Sequence, residues 1–231
     1  MGLVRSVLFI IAALIILGVS SCMGDDLMSE NEISDYLLEY LEEKYNGQEF
    51  VPIGFGNDYI FRCYPKGGDP ETDLVEVKMR SYKKEDPDRE IRDDYFGILI
   101  REDVEADIAN VLSDFELPMK IYYSRGGSWY DNIWDGTKTY AEYKAWRNEN
   151  GRRNMMDFDI CVFVDGLDIS EKEDYANQVF EVLKINDYYG RFYVVFFPSE
   201  AFVKSTRTSR LKEEYSDEYN SFSAGINYEK Y

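Results

Sequence analysis

Leu74-Val75-Glu76-Val77-Lys78-Met79-Arg80-Ser81 alternates in polarity, so Val75, Val77 and Met79 share one face and Glu76, Lys78 and Arg80 the other. A strand of that kind is half buried and belongs to an antiparallel sheet with one wetted side. Its neighbours read the same way. Phe50-Val51-Pro52-Ile53 carries a proline, which cannot donate to a ladder and so favours an edge position. Tyr59 to Tyr64 forms a second run, and the polar turn Lys83 to Asp88 returns the chain into a run from Ile91 to Ile100. Ahead of these strands, Ser29 and Glu32 have capping-box spacing, and Ile33, Leu37, Tyr40, Leu41 and Tyr45 repeat at helical period until Gly47. Behind them, Arg101 to Phe115 predicts a second helix with Val104, Ile108, Val111, Leu112 and Phe115 on its inner face. Pro118 stops it, and a strand over Lys120-Ile121-Tyr122-Tyr123 completes a unit spanning residues 29–124.

The second unit, residues 154–231, reads as a strand from Asp157 to Val164, a helix opened by Ser170 and Glu173, and a strand from Phe192 to Phe197. The helix carries Tyr175, Val179, Phe180 and Leu183 on one side. Such a tight strand–helix–strand suggests a right-handed parallel crossover, joined to the first sheet or heading a small one of its own. A polar tail follows Ser199, with basic residues Lys204, Arg207, Arg210 and Lys212. The predicted class is therefore α+β: an antiparallel sheet packed against helices, with a C-terminal β-α-β unit.

Residues 1–22, MGLVRSVLFIIAALIILGVSSC, fix the expected address. Arg5 precedes an apolar run of 13 residues, Val7 to Val19, closed by Ser20-Ser21. That is the order of a cleaved secretory signal. The run falls short of the roughly 20 residues a bilayer-crossing helix needs. Met1-Gly2-Leu3-Val4-Arg5-Ser6 also fits the loose myristoylation pattern, but the apolar run would commit the chain to export first. Plain secretion with Cys22 an ordinary thiol is the third rival. Val19-Ser20-Ser21-Cys22 resembles the lipobox of bacterial lipoproteins. The resemblance implies a signal peptide of residues 1–21, acylation of the Cys22 thiol by diacylglycerol, a tether over residues 22–28, and attachment to the extracytoplasmic side of the cell membrane. The stretch through Tyr64-Pro65-Lys66-Gly67-Gly68-Asp69 and Asp94-Tyr95-Phe96-Gly97 is similar to uncharacterised lipoproteins of Gram-positive bacteria over roughly residues 1–115. It implies no functional residues.

Without residues 1–21 the chain holds 25 Lys+Arg against 45 Asp+Glu, a formal charge of −20. Such a field repels anionic lipid headgroups and nucleic acid. No EF-hand spacing supports cation capture, and no cofactor or metal is expected. The absence of histidine removes Ser-His-Asp and Cys-His catalysis in their usual forms. Cys63 and Cys161 both sit in apolar strand-like runs; export permits a disulfide between them, and two buried thiols explain them equally well.

The connecting segment 125–153 is the candidate binding site. It gathers Trp129, Trp134 and Trp146 with Tyr130, Tyr140 and Tyr143 behind the flexible Arg125-Gly126-Gly127-Ser128. Six basic residues (Arg125, Lys138, Lys144, Arg147, Arg152, Arg153) face four acidic ones, reversing the global balance. Trp, Tyr and Arg dominate interface hot spots and stack on sugars, while tryptophans in an α+β domain are more often packing, here sealing the junction of the two units. Thr139 and Glu142 predict a capped helix to about Asn148. Carboxylate pairs such as Asp93 with Asp94, or Asp157 with Asp159, have the composition of a glycosidase acid and base. Among 45 acidic residues some pairing is inevitable, and these read as solvated surface. Gly67-Gly68 and Gly126-Gly127 lack a phosphate loop's context and read as turns. The expectation is a lipid-anchored binding or envelope-associated protein with a protein or glycan partner and no assigned catalytic residue. The alternatives are a carboxylate-dependent glycan hydrolase and a structural or inhibitory partner at the cell surface.

Overall fold

The computed structural model describes residues 27–56, 59–86, 89–124, 133–150, 158–166, 170–188, 190–208 and 221–226. Helix α1 (Glu30–Lys44) begins where the capping box predicts: Glu32 N–H donates to Ser29 Oγ at 3.4 Å, and Ser29 N–H to the Glu32 carboxylate at 2.7 Å. It ends where Gly47 N–H donates back to Glu42 O at 2.7 Å, a closure that puts Asn46 at φ 57° and Gly47 at φ 83°.

Strands β1 (Phe50–Phe55), β2 (Phe61–Pro65), β3 (Val75–Met79) and β4 (Ile91–Asp93) form an antiparallel sheet in that order. Pro52 lies on the edge strand, where its missing donor costs no ladder bond. Val75, Val77 and Met79 are buried, as the alternation requires, against Ile33, Leu37 and Leu41 of α1.

The expected strand to Ile100 stops at Asp93. The chain turns into the short helix α2 (Tyr95–Leu99) and then α3 (Arg101–Val111), four residues shorter than predicted. Within α2, Tyr95 enters the core of the first sheet while Phe96 enters that of the second.

The strand expected to close the first unit joins the second sheet instead. This sheet orders β5 (Met119–Ser124), β6 (Phe158–Asp165), β7 (Gly190–Phe197) and β8 (Ser221–Ile226), with helices α4 (Tyr140–Asn150), α5 (Lys172–Ile185) and α6 (Ser199–Lys204) among them. β6 and β7 pair in parallel across α5, so the crossover heads a sheet of its own, while β5 and β8 flank it antiparallel. Both faces of the central strands are covered, which explains their unbroken apolar runs. Ile160, Val162, Val164, Phe192, Val194 and Phe196 pack with residues of α3, α4 and α5, whereas Cys161, Phe163, Val195 and Phe197 pack with Phe202 of α6.

One local expectation fails, and one pair of alternatives is decided. Ser170 and Glu173 do not cap α5: Glu171 occupies the cap position without a side-chain bond. Cys63 and Cys161 form no disulfide, because Cys63 lies in the first sheet's core and Cys161 in the second's; both are buried thiols. Among the described residues no helix is long and apolar enough to cross a membrane, and no group of three acidic, His or Cys side chains is placed to hold a metal ion.

Candidate functional site

The aromatic segment resolves into a packed seam. Helix α4 starts on its predicted box, with Thr139 N–H donating to Glu142 at 2.9 Å and Glu142 N–H to Thr139 Oγ1 at 3.2 Å. This places Tyr143 and Trp146 beside Trp134, whose ring sits 5.1 Å from Tyr143, 5.2 Å from Trp146 and 5.3 Å from Phe96. Trp134 is 4% exposed and Tyr140 is buried, so neither offers a face for stacking a ligand. The same segment fastens to the end of α1: Gly136 N–H donates to Lys44 O at 3.2 Å, and Tyr45 Oη–H to Trp134 O at 3.4 Å. Arg125, Trp129 and Tyr130, like Cys22, lie outside the described residues.

The carboxylates hold a correction. Asp93 and Asp94 are buried, not solvated. Asp93 Oδ1 accepts from Tyr45 Oη at 2.6 Å and Tyr95 N–H at 3.1 Å, and Oδ2 from Lys44 Nζ at 2.7 Å and Tyr40 Oη at 3.3 Å. Asp94 Oδ1 accepts from Glu76 N–H at 2.8 Å. Burial, reinforced by the Asp93 charge, pushes the Tyr40 and Tyr45 hydroxyls far above their ordinary range, so both remain donors. Four donors on its two oxygens tie β4 to α1 through Asp93. The side chains of Asp157 and Asp159 lie outside the described residues.

A second cluster repeats this chemistry. Asp107 of α3 accepts from Tyr140 Oη at 2.7 Å, from Lys144 Nζ at 2.5 Å and from Tyr188 Oη. Tyr40 with Lys44 and Tyr140 with Lys144 are both spaced i, i+4 on a helix, so each pair delivers a hydroxyl and an ammonium to one aspartate of another element. The shared string Tyr-X-Glu-X-Lys is the sequence signal for both clusters, although it names no acceptor.

Among the described residues, two hollows lie around the turn that ends α3. A groove of about 410 Å³ runs between that helix and edge strand β5, lined by Ala106, Ala109, Leu112, Phe115, Met119 and Ile121. Small residues on the helix leave the trough open. Glu105 at its wall is committed to Arg207, at 2.6 and 2.7 Å, and to Tyr123 N–H at 2.7 Å. Across Phe115 and Leu117 lies a second depression of about 390 Å³, rimmed by Asp114, Glu116, Glu171 and Asp174. Both volumes fall in the range of small-ligand clefts. Phe115 packs against the core as the helical pattern predicts, and it also lines both hollows, with its ring 5.3 Å from Tyr175. No family model, curated protein or solved structure matches this chain.

Proposed function

We propose that this chain is a lipid-anchored binding protein of the extracytoplasmic membrane face, held by acyl groups on Cys22 and presenting the paired hollows beside Phe115 to a partner. The juxtaposition of an apolar trough with a rim of four carboxylates carries the binding reading. Its occupant has an apolar side and a positive charge, the chemistry of a basic amphipathic peptide segment. A chain of formal charge −20 without residues 1–21 attracts such a partner over distance. The anchor reading rests on the order Arg5, Val7 to Val19, Ser20-Ser21-Cys22. Two acyl chains attach a protein stably where one binds marginally.

The two parts are tested separately. Cells fed an alkyne analogue of palmitate label the wild-type protein in the membrane fraction, and Cys22→Ala abolishes the label; an unlabelled wild type overturns the anchor. For the groove, a fluorescent peptide of alternating leucine and lysine is titrated against the detergent-solubilised protein. Saturable binding weakened by Glu116→Lys with Asp174→Lys, and by Ala109→Trp, supports the reading. No saturation, or variants that bind like wild type, overturns it.

A further inference from the structure

Resting on the anchor reading, we infer that the face around Leu27 lies on the bilayer that holds the anchor. Five residue steps separate Cys22 from Leu27, and a fully extended chain covers at most about 18 Å in that distance. Leu27 is already fixed to the fold: it bridges Lys83, and Met28 N–H donates to Tyr82 O at 2.9 Å. The first sheet is thus held within a short reach of the headgroups, and the exit point of the tether decides which surface meets them.

That surface has the composition of a membrane interface. Leu27 is 58% exposed and Tyr59 74%, and Tyr59 is tied in place by Tyr82 Oη–H donating to its carbonyl at 3.2 Å. Lys83 and Lys84 are exposed beside them. Arg89 bonds to Lys84 O at 3.1 Å and to Lys83 O, and lays its guanidinium over the half-exposed Tyr36 ring at 4.7 Å. Apolar and tyrosyl groups settle at the headgroup level, and lysine and arginine stems reach the phosphates from there. Among the described residues the acidic groups on this face include Glu32, paired with Lys84 at 3.3 Å, and Glu85 and Asp86 of the turn, while Asp25, Asp26, Asp58 and Asp88 adjoin it in sequence. A lone exposed leucine needs no explanation; this one stands where the tether leaves the body, among three cations.

The acylated full protein, carrying an environment-sensitive fluorophore on Tyr59→Cys or on Ile185→Cys, is reconstituted into vesicles containing phosphatidylglycerol and headgroup-quenching lipid. Ile185, 76% exposed on α5, serves as the reference position. The expected result is a blue shift and quenching at position 59 with neither at 185, and loss of both effects when Lys83→Glu and Lys84→Glu are added. Protein that floats with the vesicles while position 59 stays unquenched overturns the inference and leaves the anchor standing. Protein that does not float overturns both.

Discussion

Lys44 and Asp93, 49 residues apart in sequence, meet at 2.7 Å with their side chains 5% and 0% exposed. The pair joins the last turn of α1 to the end of β4, and two tyrosines complete it. Removing one partner of a buried pair leaves the other uncompensated, at a cost of about 3–5 kcal/mol. Asp93→Ala is expected to cost more than Lys44→Met, because it also strands the Tyr95 N–H and leaves the Tyr45 hydroxyl only the long contact to Trp134 O at 3.4 Å. Urea unfolding of the two variants checks the order; equal losses would mean the tyrosines contribute nothing.

Asp107 predicts a pH dependence. Burial alone would raise its carboxyl, but hydrogen bonds from Lys144, Tyr188 and Tyr140 outweigh it and hold the group below the ordinary 3.8. The native carboxyl therefore gives up its proton more readily than the unfolded one. Its contribution is complete above the unfolded value and disappears as pH falls through the lower native one. Urea midpoints between neutral pH and pH values below 3.8 should fall less steeply for Asp107→Asn than for wild type. Parallel curves would remove the network as the cause.

Gly136 faces the residues that end α1. A Cβ there would lie 2.9 Å from Asn46 Nδ2 and 3.1 Å from Tyr45 Cα. Gly136→Ala must displace the Asn46 amide and part the segment from the Tyr45 backbone by a few tenths of an ångström, and overpacking of this kind costs about 1–3 kcal/mol. A lowered melting temperature is expected, with a loss of near-ultraviolet circular dichroism from the Trp134 seam.

Trp134→Ala empties a site walled by Phe96, Tyr143 and Trp146, and large-to-small changes of this size cost about 3–5 kcal/mol. Chemical denaturation should register that loss, while peptide binding at the hollows beside Phe115 persists at temperatures where the variant is folded. Binding lost without a stability change would return this ring to the role of a contact residue.

Cys63 and Cys161 are expected to resist thiol reagents until the chain unfolds, since buried thiols are inert. A Cys22→Ser protein should therefore titrate two thiols in denaturant, with a melting temperature indifferent to reductant. A reductant-sensitive transition would reveal a bond that the native packing does not contain.

Features encoded within a few residues were legible in the chain. The boxes at Ser29/Glu32 and Thr139/Glu142, the alternation through Val77 and the parallel pairing around α5 all follow from local spacing. Features set by distant partners were not. Asp93 looks like any other acid until Lys44 and Tyr45 arrive from α1. The run to Ile100 has a strand's composition, but after Asp93 it turns helical and divides Tyr95 and Phe96 between two cores. β8 hides in Ser221-Phe222-Ser223-Ala224-Gly225-Ile226 because an edge strand needs few large apolar residues. The hollows beside Phe115 depend on how α3, β5 and α5 approach one another, which no spacing records.

The peptide bond between Tyr95 and Phe96 works as a hinge pin shared by two doors. Loosening either sheet tugs the neighbouring residue out of the other, so calorimetry should record one heat-absorption peak, and a gene split at that bond should yield two fragments that survive only when expressed together.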